Sequence, residues 1–124
     1  MNSGLKALVA SNDGDFLRLA AGMLTCAGHQ VRTATDRGAR IERLMRHYEH
    51  DVIVIDGRAG RGMRRLAGET ARIPVVVVTE DHPPLMVHRA RARMCRLDDL
   101  VATIDVVADD QGRRHERPAL RLVR

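Results

Sequence analysis

Two runs in this 124-residue chain, Val52–Ile55 and Val75–Val78, are apolar at every position. A strand with one wet face alternates apolar and polar residues. A strand apolar throughout has both faces covered, as in a parallel sheet held between two layers of helix. The surrounding sequence supplies that rhythm. Leu5–Ala10 reads as a first strand, and Asp13 as the N-cap of a helix with Phe16, Leu17, Ala20, Met23, Leu24 and Ala27 at helical spacing. Gly28 is the expected stop. Gln30–Ala34 is a predicted second strand, followed by a helix over Arg37–Tyr48 carrying Ile41, Leu44, Met45 and Tyr48. Val52–Ile55 is the third strand, Arg61–Ala71 a helix with Met63, Leu66 and Ala67 inward, and Val75–Val78 the fourth strand, entered from Pro74. Leu97–Val107 closes the pattern with the stripe Leu100, Val101, Ile104, Val107 and Ala108. Strands alternating with helices call for an α/β, doubly wound parallel sheet.

One stretch resists this scheme. Only Glu80–Leu85, containing Pro83 and Pro84, separates the fourth strand from the next strand candidate, Met86–Ala90. A parallel crossover needs a dozen or more residues, usually including a helix. Either a bare loop reaches the fifth strand, or Leu85–Met94 is itself a helix with Val87, Ala90 and Met94 on one side. The alternation Arg89-Ala-Arg-Ala-Arg93 favours the strand.

Charge narrows the functional classes. The formal balance is +5, but residues 1–110 hold 16 Lys or Arg against 15 Asp or Glu, whereas Gln111–Arg124 holds five arginines and one glutamate. The expected organisation is a folded domain over 1–108 and a basic tail over 109–124. Nucleic acid would be met through the tail alone, since Phe16 and Tyr48 are too few rings for stacking on single strands. Cys26 and Cys95 stand apart without CxxC spacing, which fits a reducing cytoplasm. The apolar run Val75–Val78 is far too short to span a bilayer. His47, Glu49, His50 and Asp51 resemble metal ligands only as a list, and read instead as a solvated helix end. No Ser/His/Asp or Cys/His arrangement supports an enzyme.

The residue that stands out is Asp56, a carboxylate at the exit of the third strand, where open α/β sheets gather their active groups. It is followed by Gly57-Arg-Ala-Gly-Arg-Gly62. This loop matches neither the dinucleotide fingerprint nor the P-loop, but with Arg58, Arg61, Arg64 and Arg65 it offers an alternative reading as an anion- or nucleotide-binding module.

In order and spacing the chain resembles the receiver domains of two-component response regulators over about residues 5–108. The resemblance rests on Lys6-Ala-Leu-Val-Ala-Ser-Asn12, Ala27-Gly28-His29, Asp51-Val-Ile-Val-Ile-Asp56, Ile73-Pro-Val-Val-Val-Val-Thr79 and Leu97-Asp-Asp-Leu-Val-Ala-Thr-Ile104. It implies a flavodoxin-like sheet of five strands in the order 2-1-3-4-5, here with the fourth helix shortened or missing. It implies Asp56 as phospho-acceptor and Thr79 as the switch hydroxyl. It implies a protein partner, a histidine kinase or downstream effector, and allows a homodimer.

The resemblance also has gaps. The family holds Mg²⁺ with an acidic pair after the first strand, and those positions are Ser11 and Asn12 here. Mg²⁺ prefers carboxylates, so Asn12 and Asp56 would hold it weakly. Asp13 is one place late and is expected to serve as the cap. The family's lysine corresponds to Arg93, which keeps the charge but not the ammonium geometry. Arg58 stands where the family offers a backbone carbonyl to the metal, and its side chain is placed to pair with Asp56.

Overall fold

In the computed structural model the described residues are 4–35, 43, 49–58, 73–80 and 92–110. They form a five-stranded, fully parallel sheet: β1 (Lys6–Ala10), β2 (Gln30–Ala34), β3 (Val52–Asp56), β4 (Val75–Val78) and β5 (Ala92–Cys95), in the order β2-β1-β3-β4-β5. The helix α1 (Gly14–Cys26) joins β1 to β2, and α2 (100–110) follows β5 through a short 3₁₀ turn at Leu97–Asp99. This is the order that the resemblance to receiver domains implies. The predicted helices over 37–48 (apart from helical Arg43) and 61–71, the fourth-helix region and the tail from 111 lie outside the described residues.

The alternation of side chains along each strand divides the core in two. Ala7 and Val9, Val52 and Val54, and Val76 and Val78 share one cluster with Phe16, Leu17, Ala20 and Leu24 of α1 and with Leu100, Ile104 and Val107 of α2. Leu8 and Ala10, Ile53 and Ile55, and Val75 form a second cluster with Ala34. β3 and β4, interior in the sheet, therefore contribute to the core on both faces, and their apolar runs follow from that position.

α1 begins where Asp13, in extended backbone, accepts the amides of Asp15 and Phe16. It ends at Gly28, whose φ of +95° suits a residue without Cβ, while the His29 amide closes onto the Leu24 carbonyl. The sequence reading of this helix holds at both ends.

The fifth strand is a correction. It lies at Ala92–Cys95, not at Met86–Ala90, and the residues from 92 onward exclude a helix running through Met94. Thirteen residues, 79–91, then separate β4 from β5. That span satisfies the length a parallel crossover demands, which the earlier strand position violated. The last helix runs from 100 through 110.

Candidate functional site

The site follows from register and parity. Ala10 pairs with Ile55, so the next rung sets Ser11 beside Asp56 at the carboxyl edge of β1 and β3. Asp56 shares the parity of Val52 and Val54, which turns it toward the α1 face. Ser11 and Asp56 are the buried polar side chains among the described residues, with 0% and 5% of their surface exposed. A buried carboxylate is stable as a charge only when its oxygens are satisfied.

They are. Oδ2 of Asp56 accepts the Ser11 hydroxyl at 2.7 Å and Nη2 of Arg58 at 3.0 Å. Oδ1 accepts the Arg58 amide at 3.0 Å and Nε of the same residue at 3.2 Å. The Ser11 oxygen in turn accepts the Asp13 amide at 2.9 Å. Arg58 thus folds back over the residue two places before it, meeting the carboxylate with both side chain and main chain. Its Nη2 also donates to Oδ2 of Asp13 at 2.8 Å. Asp13 therefore has two tasks, capping α1 and anchoring Arg58.

The protonation states follow. Burial pushes the Asp56 carboxyl up, but the hydrogen bonds from Arg58 and Ser11 outweigh it and hold the group below the usual carboxylate range. Asp13 is also lowered, first by the Arg58 hydrogen bond and then by the Asp15 amide. The Arg58 guanidinium, held by Asp56 and Asp13, is raised still further from neutral pH. The site carries two carboxylates and one guanidinium.

Two hollows open beside this cluster. One of about 320 Å³ is lined by Asp56, Gly57, Val78, Thr79 and Leu97, with Phe16 and Leu19 of α1. The other, about 220 Å³, is lined by Asn12, Asp13, Asp56 and Arg58. Thr79 stands at the exit of β4, its amide donating to the Cys95 carbonyl at 2.9 Å. The Gly57 amide reaches the Val78 carbonyl at 2.7 Å. A Cβ on Gly57 would lie 2.7 Å from that oxygen and 3.0 Å from Thr79 Cβ, so the two strand exits touch.

The expected residues are brought together unevenly. Asp56, Ser11 and Arg58 meet directly, while Asn12 and Thr79 line the adjoining hollows. Arg93 does not join them. It lies within β5 opposite Val76, and its guanidinium is bound to Asp110 of α2 at 2.6 Å. The rung past the β4–β5 pairing brings Arg96, not Arg93, level with Thr79. The part of Asp13 in the site escaped the sequence reading because its cap role already accounted for it. Of the loop arginines, Arg58 is described, and the others lie outside the described residues. Among the described residues there is no cluster of three or more His, Cys, Asp or Glu suited to a metal, and no helix long and apolar enough to cross a membrane.

No protein-family model and no curated protein matches the chain. Solved structures do. The chemotaxis response regulator CheY4 of Vibrio cholerae superposes with a TM-score of 0.70 at 18% identity, over 84% of this chain and 98% of that one. The signal receiver domain of an HD domain-containing protein from Pseudomonas fluorescens Pf-5 gives 0.72 at 11% identity, over 94% and 96%. NtrX from Brucella abortus gives 0.77 at 19% identity, over 94% of this chain but 29% of that one. At these identities the likeness is one of fold: the chain has the fold of response-regulator receiver domains.

Proposed function

We propose that this protein is a receiver-like signalling domain of a two-component pathway, working in the cytoplasm through contact with a protein partner rather than through turnover of a substrate. Asp56 is its inherited phospho-acceptor position. The observation that carries the second half of this reading is the saturation of Asp56, with each carboxylate oxygen accepting two protein donors. Nucleophilic attack on phosphorus needs a free lone pair on one of those oxygens. Arg58 or the Ser11 hydroxyl must turn away before one is available. The resting domain is thus held in one state by its own arginine, and its signalling contact does not require phosphorylation.

The residues that would otherwise favour the reaction point the same way. Ser11 and Asn12 replace an acidic pair, and Arg93 is engaged with Asp110. The rival reading, an anion site on the loop after β3, loses Arg58, whose donors are directed at Asp56 and Asp13.

The test is intact mass after incubation with a small acyl phosphate, wild type beside Asp56→Asn. Transfer would form a bond between an Asp56 oxygen and phosphorus, break the donor's phosphorus–oxygen bond and release its carboxylate. The expected result is no adduct on wild type. An adduct on wild type that Asp56→Asn abolishes would overturn the phosphorylation-independent reading and make the domain a working phospho-switch.

A further inference from the structure

The receiver fold is associated with a divalent cation beside the acceptor carboxylate, and here the oxygens that would hold one are already engaged. The Ser11 hydroxyl is engaged as donor to Asp56 and as acceptor from the Asp13 amide. Both oxygens of Asp56 are filled. Asp13 spends Oδ1 on the start of α1 and Oδ2 on Arg58. What lies between the two carboxylates is a guanidinium nitrogen, 2.8 Å from Asp13 and 3.0 Å from Asp56.

We propose that Arg58 is the resident cation of this site: its guanidinium bridges Asp13 and Asp56, makes the protein indifferent to Mg²⁺, and covers a latent divalent-cation site formed by the same two carboxylates. The inference concerns what neutralises the site and holds whether or not the domain signals.

Three features support it. The carboxylates come from separate junctions, the turn after β1 and the end of β3, 43 positions apart in sequence. Like charges brought together from such distant segments need a cation between them, and Arg58 provides one at no loss of translational freedom because it is part of the chain. The guanidinium marks the place of the ion, since it is the group seated between both carboxylates. The adjoining hollow of about 220 Å³, bounded by Asn12, Asp13, Asp56 and Arg58, has room for the waters that Mg²⁺ retains when one or two carboxylates hold it. Space and acidic ligands are therefore both present. What excludes the metal is a positive charge already in position.

Arginine differs from the ion it replaces. A guanidinium brings one charge and a planar set of donors, so it binds carboxylates without polarising them as a small dication does. With Arg58 in place the trio retains one net negative charge. Arg58→Ala leaves two.

The experiment compares wild type, Arg58→Ala, Arg58→Gln and the double variant Arg58→Ala/Asp56→Asn. Melting midpoints are measured in millimolar Mg²⁺ against NaCl of matched ionic strength, and Mn²⁺ is titrated while backbone amide signals are followed for paramagnetic broadening. Wild type should melt alike in both salts and show no saturable broadening at Asp13 or Asp56. Arg58→Ala should gain about 3–5 °C from Mg²⁺ near saturation, with broadening centred on those residues, and the double variant should lose the gain. If Arg58→Ala does not fold, Arg58→Gln serves, because its amide removes the charge and retains part of the bulk. Saturable Mn²⁺ broadening at Asp56 in wild type would overturn the proposal by itself. So would folded Arg58 variants that gain nothing from Mg²⁺. An acyl-phosphate adduct on wild type bears on the signalling reading and leaves these metal measurements to decide the present one.

Discussion

Asp56 is a buried charge whose ionisation depends on neighbours that can be removed one at a time. Replacing Arg58 by alanine leaves it with the Ser11 hydroxyl and the main-chain amide of residue 58. Its pKa should rise, and folding stability should fall only modestly, because the arginine itself is largely exposed and solvent screens the pair. Carboxyl NMR titration and urea denaturation measure the two effects. The pH dependence has a definite sign. Asp56 and Asp13 both titrate below their ordinary values in the folded protein, so their contribution is complete above the unfolded carboxylate range near 4 and is lost as pH falls below it. Stability should therefore begin to drop as pH falls through the unfolded range near 4 and go on falling toward the lowered folded values, and drop less in Arg58→Ala, as urea midpoints in an acid series would show. The sequence disclosed part of this arrangement. An aspartate at a strand exit with an arginine two places on is a local pattern, and the pairing was legible. Ser11 was read as a lost ligand, because its gain as a hydrogen-bond donor depends on its rung beside Asp56. Asp13 was read for its cap alone, since an ion pair across 45 residues leaves no trace in local spacing.

At the scale of the elements, the exits of β3 and β4 act as one joint. Gly57 lies so close to Val78 and Thr79 that any side chain must push them apart. Gly57→Ala should cost about 1–3 kcal/mol and shift the amide signals of Thr79 as well as those of Arg58. A confined effect at residue 58 would contradict the close packing. Within β3, Ile53 is fully buried, and Ile53→Ala should cost about 2–5 kcal/mol by urea denaturation. The strands with continuous apolar runs were read at their true places because burial on both faces leaves little freedom in composition. β5 was not, because at its position the sequence is Ala-Arg-Met-Cys, an edge strand with charge on it. Alternation around Arg89–Arg93 fits several registers equally. Only the crossover length separates them, and that constraint becomes decisive when the end of β4 is fixed.

Over the whole molecule, the parallel α/β class follows from the alternation of elements and the apolar runs of β3 and β4, while the strand order came from the resemblance to receiver domains. Charge distribution sets a further prediction at this scale. Removing 111–124 takes the formal charge from +5 to +1. Any affinity of the intact chain for nucleic acid should be steeply salt-dependent and should vanish with that segment, as fluorescence anisotropy across a salt series would reveal. Salt-independent binding, or binding retained by the shortened chain, would place the interaction on the folded domain instead. The double engagement of Asp13 has a thermodynamic corollary. One carboxylate serves both the first turn of α1 and the arginine over Asp56, so the two equilibria are linked. If loosening Arg58 alters how firmly the helix starts, a partner that grips that first turn must alter the hold of Arg58 on Asp56 by the same free energy. The helix end and the acceptor carboxylate then report on each other, in both directions, without a phosphoryl group passing between them.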